Sequence, residues 1–279
     1  MMRLFVYILV ALATMSTVAI GYDMIDSRAL GLGRTVDLDA PSPTSLLRAP
    51  SSALKSDDWM IETGYHRRFE LADLDDLFVV GAWRKKSFTL AFGASQYGKT
   101  DLYAEQLLKG TALFHWRDFT LGGTLSAMQV KIGDGYGDLR AASFGFGLGY
   151  RRGIVRLAFT ADDLGSPSLA VGSLEEPREY RLYAQVMSHK SYSFTGLVDW
   201  EAGEKTQLGL GQIIKLSRNA SLFWGIASEP LEYGGGLEIK IPVGAVTYAT
   251  SVHPTLGFSH TITVSFSPSL KSRGGGDDF

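Results

Sequence analysis

The stretch ASFGFGLGYR, Ala142 to Arg151, alternates without a break. In an extended chain Phe144, Phe146, Leu148 and Tyr150 share one face, while Ser143, Gly145, Gly147 and Gly149 share the other. A soluble sheet usually sets charged side chains opposite its apolar face. Here the opposite face is almost bare. The stretch therefore asks for a medium that accepts aromatic rings on one side and for a neighbour that needs space on the other.

The same period of two recurs along the chain. In SFTLAFGAS, Phe88, Leu90 and Phe92 oppose Thr89, Ala91 and Gly93. In SYSFTGLVDW, Tyr192, Phe194, Val198 and Trp200 oppose Ser193, Thr195, Leu197 and Asp199. In LGFSHTITVSF, Leu256, Phe258, Ile262, Val264 and Phe266 oppose Gly257, Ser259, Thr261, Thr263 and Ser265. This is the signature of strands with two unlike faces. Fourteen such segments are predicted, near 59–67, 77–84, 87–95, 106–116, 119–131, 139–151, 153–163, 178–189, 191–200, 204–214, 218–228, 231–241, 244–252 and 256–267.

The connections between them alternate. Tight turns at RKKS, WRDF, RRG, SHKS, SRN and PVG take turns with longer links such as RRFELADLDD, QYGKTDLYAE and LGSPSLAVGSLEEP. With an even number of strands running up and down, the tight turns gather at one end and the loops at the other. Short turns, longer external loops and an even strand number describe an outer-membrane β-barrel. Hydrocarbon offers no partner to a backbone amide, so an exposed sheet there must close on itself. The aromatic face of Phe144 to Tyr150 is then expected to meet lipid and the bare face to line the lumen. Trp59, Trp116, Tyr150, Tyr192, Trp200 and Tyr233 fall near strand ends, where interfacial girdles lie. A secreted soluble β-sandwich or propeller is the competing fold. It would have to hide many one-sided aromatic strands, and no blade-length repeat is visible.

Composition agrees. The chain has 279 residues, a net charge of -2, 32 glycines and no cysteine. The charge balance argues against nucleic acid as a partner, and the lack of cysteine excludes disulfides and thiolate metal sites. The opening MMRLFVYILVALATMSTVAIG has a basic start, a short apolar run and small residues at its end, the pattern of a signal peptide over 1–21. Its apolar run is short for a spanning helix, which needs about 20 residues. The predicted order is signal peptide 1–21, an N-terminal plug or periplasmic segment 22–58, β-barrel 59–267 and a flexible tail 268–279. The predicted location is the bacterial outer membrane. Glycines and charges make SPSLKSRGGGDD a poor strand, so Phe266 rather than Phe279 is expected to be the terminal lipid-facing aromatic.

The segment 22–58 is too long for a spacer, has no alternation, and can fold back into the barrel. Within it, SRALGLGRTVDLDAPSPTSLLRAPSSAL carries Ala29-Leu30-Gly31-Leu32-Gly33, then Asp37 and Asp39, then Pro50. This resembles the N-terminal signature of the FadL superfamily of outer-membrane barrels, which includes long-chain fatty-acid transporters and the PorV-type proteins of type IX secretion. The usual Asn-Pro-Ala element reads Ala49-Pro50-Ser51 here. The resemblance implies a fourteen-stranded barrel with an N-terminal plug. It implies either a transporter or pore for small hydrophobic molecules, or a docking component of an envelope secretion complex. It brings in no cofactor. The expected partners are outer-membrane lipid and either hydrophobic small molecules or envelope proteins.

Alternation places Arg156, Arg181, Asp199, Glu238 and Lys240 on the lumen face, with Gln185 and Gln207. On the lipid face a mid-depth Arg or Lys would cost about 2–4 kcal/mol. Inside, these groups can knit the wall, hold the N-terminal segment or select what passes. His260 falls on the lipid face of the last strand, where it can reach headgroups, a partner, or the plug through a defect in the wall. Gly234, Gly235 and Gly236 are candidates for a bulge, and the resemblance implies that such a bulge can open a lateral gap for ligand release. The acidic run Asp73, Asp75 and Asp76 lacks the glycine and final glutamate of a calcium loop and reads as a solvated outer loop. An enzyme finds little support. No Gly-x-Ser-x-Gly or His-Glu-x-x-His motif occurs, and Ser259 and His260 point to opposite faces.

Overall fold

A computed structural model describes residues 24–50, 52, 54, 59–99, 103–133, 137–164, 178–189, 191–201 and 205–267. The predicted signal peptide, the C-terminal tail and the link around Ser168 lie outside the described residues. Fourteen antiparallel strands close into one barrel, each paired with its sequence neighbours, and the first with the last. They are β1 (Trp59–Arg67), β2 (Asp75–Lys85), β3 (Phe88–Lys99), β4 (Tyr103–Trp116), β5 (Phe119–Ile132), β6 (Gly137–Arg152), β7 (Val155–Leu164), β8 (Glu179–His189), β9 (Tyr192–Glu201), β10 (Gln207–Lys215), β11 (Ala220–Ser228), β12 (Leu231–Ile241), β13 (Gly244–His253) and β14 (Gly257–Phe266). Closure runs from Ile61 opposite Phe266 to Arg67 opposite His260. Every strand edge is thereby paired, as hydrocarbon requires.

The tight connections share one end of the barrel, where Lys86, Arg117 and Gly153 take positive φ angles of 53°, 53° and 54°. The wall shows the two faces that the opening stretch implies. Phe144, Phe146 and Leu148 are exposed, and Gly145, Gly147 and Gly149 are buried. Leu125 and Leu210 stand out from the wall at 71% and 64% exposure, a surface that water would not tolerate and lipid does. Trp59, Trp116 and Tyr192 mark the tight-turn rim, and Tyr180, stacked on Trp200 at 5.3 Å, marks the loop rim together with Tyr233. No described helix is long and apolar enough to cross a membrane; the crossing is made by strands.

Residues 24–50 lie against the inward side chains. They include two short helices, α1 (Ser27–Gly31) and α2 (Pro43–Arg48). Each begins at a side chain that caps a free amide: Asp26 accepts from the Ala29 N–H at 2.6 Å, and Ser42 from the Ser45 N–H at 3.0 Å with Pro43 next in line. Three apolar clusters fasten the segment around the wall. Leu46 and Leu47 pack with Phe78, Val80 and Leu113 of β2 and β4. Leu30 and Leu32 pack with Ile213 and Phe223 of β10 and β11. Val36 and Leu38 pack with Tyr183 and Leu197 of β8 and β9. Burial of each leucine stabilises by about 1.5–3 kcal/mol.

The bare faces of the strands are where this segment runs. A Cβ on Gly122 or Gly147 would fall 1.8 or 2.7 Å from the Pro50 carbonyl oxygen. Gly33 has φ +65°, and its own Cβ would stand 2.4 Å from the Ile226 carbonyl oxygen of β11. Glycine is therefore required there twice over, by backbone angle and by closeness.

Candidate functional site

The inward charges separate into two groups. The first, in the tight-turn half of the lumen, binds the N-terminal segment. Arg28 pairs with Asp37 at 3.1 Å, donates to the Ala40 carbonyl at 2.8 Å and pairs with Glu238 of β12, which Lys240 also approaches at 3.6 Å. Burial works against the Arg28 charge, but Glu238 and Asp37 outweigh it and hold its pKa above the ordinary arginine range. Asp39 meets Arg156 at 3.3 Å and Arg151 at 3.5 Å. Gln185 donates to Asp37 at 2.9 Å and accepts from the Asp39 N–H at 2.9 Å. The Thr195 hydroxyl donates to the Val36 carbonyl at 3.0 Å. Asp37 and Asp39 of the N-terminal signature are thus the segment's polar anchors.

The second group lies in the loop half and binds chiefly within the wall, with Glu232 of β12 reaching Arg34 of the segment at 2.9 Å. Arg181 reaches Asp162 and Asp199, each at 3.3 Å, and Glu179; Lys109 reaches Asp162 at 3.4 Å. Of the roles that sequence alternation leaves open for Arg181 and Asp199, the structure favours knitting the wall over holding the segment: both are spent on this wall cluster. A bulge supplies its centre. Between β6 and β7 the register shifts at Gly145, opposite Asp162 and Asp163, and Asp163 takes φ +54°. The extra residue turns both neighbouring carboxylates into use, Asp162 to the cations and Asp163 to the Ser143 hydroxyl at 2.7 Å.

Other expectations change. Gly234, Gly235 and Gly236 form no bulge and leave no lateral gap: β12 pairs in unbroken register with β11 and β13 through all three. Their bareness serves closeness, since a Cβ on Gly234 would fall 2.6 Å from the Leu30 carbonyl oxygen. His260 faces outward, as alternation requires, but it meets no wall defect. Its Nδ1 lies 2.8 Å from the Tyr248 hydroxyl, its Nε2 3.7 Å from Glu70, and its ring stacks on Phe258. The acidic run is only partly a solvated loop: Asp73 is exposed in it, whereas Asp75 and Asp76 open β2. Asp76 is wholly buried 3.7 Å from Arg68, Asp75 pairs with Arg67 at 2.9 Å, and Asp73 pairs with Lys99. Among the described residues no group of acidic or histidine side chains is arranged to hold a metal.

Between the segment and the loop rim lies a cavity of about 650 Å³, within the usual range for small-molecule sites. Met24, Ile25, Leu30 and Leu47 of the segment form an apolar floor, continued by Leu107 and Met128 of the wall. Arg181, Asp199 and Asp163 border it on one side; Arg34, paired with Glu232 at 2.9 Å, Arg68 and His66 border it on another. Arg34, Glu232, His66 and the Asp162–Lys109 pair escape a strand-by-strand reading, because only the closed barrel brings β1, β4, β7 and β12 to face one space.

An outer-membrane-type β-barrel with an occupied lumen is the class that this architecture defines. Among solved structures, the toluene transporter TodX of Pseudomonas putida superposes with a TM-score of 0.64 at 9% identity, covering 90% of this chain and 100% of TodX. A deletion mutant of TodX, a monoaromatic hydrocarbon channel, gives 0.58 at 10% identity over 87% of this chain and 98% of its own. These likenesses establish the fold, that of bacterial outer-membrane barrels. No protein-family model matches the chain, and no curated protein sequence matches it.

Proposed function

We propose that the barrel is an outer-membrane channel for small hydrophobic molecules, and that residues 22–58 act as its plug. The observation that carries this reading is the cavity of about 650 Å³ on the loop side, floored by apolar side chains of the N-terminal segment. A molecule entering from the loop end meets the apolar floor after the charged rim. Passage onward requires the segment to move, since its backbone lies against Gly122, Gly147, Gly209 and Gly234. The hydrocarbon channels that share the fold support the reading. No enzymatic step is part of it. The docking role in an envelope secretion complex draws no support from those neighbours.

The test is uptake. Cells that lack other hydrocarbon channels and produce this protein should take up radiolabelled toluene several times faster than the same cells with an empty vector. Equal rates in both, with folded barrel present in the outer membrane, would defeat the reading.

A further inference from the structure

Resting on that reading, we infer that the cavity selects uncharged molecules that carry a single hydroxyl on an apolar body, the chemistry of a small phenol, and that His66 is the residue that recognises the hydroxyl.

Two independent observations carry this. The first is the state of the charges around the cavity. Arg34, Arg68, Lys109, Arg181 and Lys205 are each met by a carboxylate of the wall: Glu232 at 2.9 Å, Asp76 at 3.7 Å, Asp162 at 3.4 Å, Asp162 and Asp199 at 3.3 Å, and Glu229 at 3.5 Å. Arg48, the sixth cation on the border, is 3% exposed and donates to the Arg34 carbonyl at 3.4 Å. Asp163 and Glu179 add further negative charge to the same border. The border carries six cations and five carboxylates, and Asp76 and Asp162, paired to Arg68, Lys109 and Arg181 from just behind it, bring the carboxylates to seven. An anionic ligand would therefore find no unpaired positive excess and would lose its hydration there.

The second observation is His66. It points inward from β1, borders the cavity at 3% exposure, and neither of its ring nitrogens has a hydrogen-bond partner among the described residues. Native interiors seldom leave such a group unmatched. An imidazole that donates from one nitrogen and accepts at the other is matched by a hydroxyl in either tautomer, because a hydroxyl both donates and accepts. A plain hydrocarbon supplies neither. Met24, Leu47, Leu107 and Met128 border the same cavity and would receive the apolar body.

Titration calorimetry on the purified barrel in detergent, with blank-micelle titrations subtracted, can compare toluene, p-cresol and p-toluate. They differ only in the group opposite the methyl: hydrogen, hydroxyl or carboxylate. The expected result is p-cresol bound about tenfold more tightly than toluene, with p-toluate weakest. His66→Phe should bring p-cresol down to the affinity of toluene and leave toluene within about twofold, while His66→Gln keeps part of the preference. Binding of p-toluate as tight as p-cresol would overturn the inference, as would a p-cresol preference that survives in His66→Phe. If the variants do not assemble, the wild-type series still decides: equal affinity for toluene and p-cresol overturns the hydroxyl recognition and leaves the channel reading intact. Failure of all three to bind overturns the inference, and the toluene uptake assay then judges the channel separately.

Discussion

The two halves of the lumen are built from the same residue types and use them differently. In the tight-turn half, Glu238, Arg156 and Gln185 reach across to Arg28, Asp39 and Asp37, so wall and segment satisfy each other. In the loop half, Arg181, Asp162, Asp199 and Lys109 satisfy one another within the wall, while Glu232 reaches the segment at Arg34. A wall that spends its charges on the segment becomes a packed core. A wall that spends them on itself leaves a chamber. An inward charge in a barrel is therefore informative only once its partner is known. The glycines sharpen the contrast: Gly122 and Gly147 are bare because the chain at Pro50 lies on them, whereas no glycine borders the cavity among the described residues.

The largest effect should come from removing the segment. The intact barrel in a planar bilayer should show little conductance. A form lacking residues 23–54, with the signal peptide kept and heat-modifiable folding checked, should give steady ion-conducting openings, since barrels only slightly wider hold aqueous channels. Equal conductance in both forms would show that the segment does not occlude the lumen.

Next comes the contrast between anchors. Arg28→Met leaves Asp37 and Glu238 without their shared cation and should cost about 3–5 kcal/mol in unfolding by guanidinium. It should also open residues 24–50 to added protease. Arg181→Met should destabilise the barrel but leave the segment protected, because its partners lie in the wall. Lys205→Met, an exposed pair with Glu229, should change stability by less than about 1 kcal/mol. Equal protease sensitivity in Arg28→Met and Arg181→Met would erase the distinction between the halves.

Two neighbouring glycines test the faces of one strand. Gly122→Leu drives a side chain into the Pro50 backbone and should lower stability by roughly 1–3 kcal/mol. Gly123→Leu meets nothing within 4 Å and should be neutral in lipid. The melting temperature of each folded barrel, read by the gel shift on heating, checks this. The smallest effect belongs to His260→Phe. It gives up one hydrogen bond with Tyr248 at the membrane-facing surface and should cost no more than about 1 kcal/mol.

Much of the fold was legible in the chain because a strand between lipid and lumen has two different solvents, and a period of two records both. Fourteen segments, their up-and-down order and the tight-turn end were all readable, and strand ends moved by a few residues at most, as where β3 runs on to Lys99 and β4 begins at Tyr103. The lumen face of Arg156, Arg181, Asp199, Glu238 and Lys240 followed from the same alternation. Partners did not. Which charge meets which depends on strands distant in sequence, as with Arg28 and Glu238, and no local pattern reports that separation. Glycine was misleading for the same reason. Gly234 to Gly236 look like a break in a strand, yet the strand runs through them and Gly234 makes way for Leu30, while a bulge sits at Gly145 opposite two aspartates. His66, an ordinary histidine in a strand, is set beside a cavity by the closure of β1 on β14, with no hydrogen-bond partner for its ring among the described residues. Alternation is a local property, enforced residue by residue by the medium on either side, and the sequence alone determined it. Which side chains face one another across the lumen is a property of the closed barrel, and only the tertiary structure decided it.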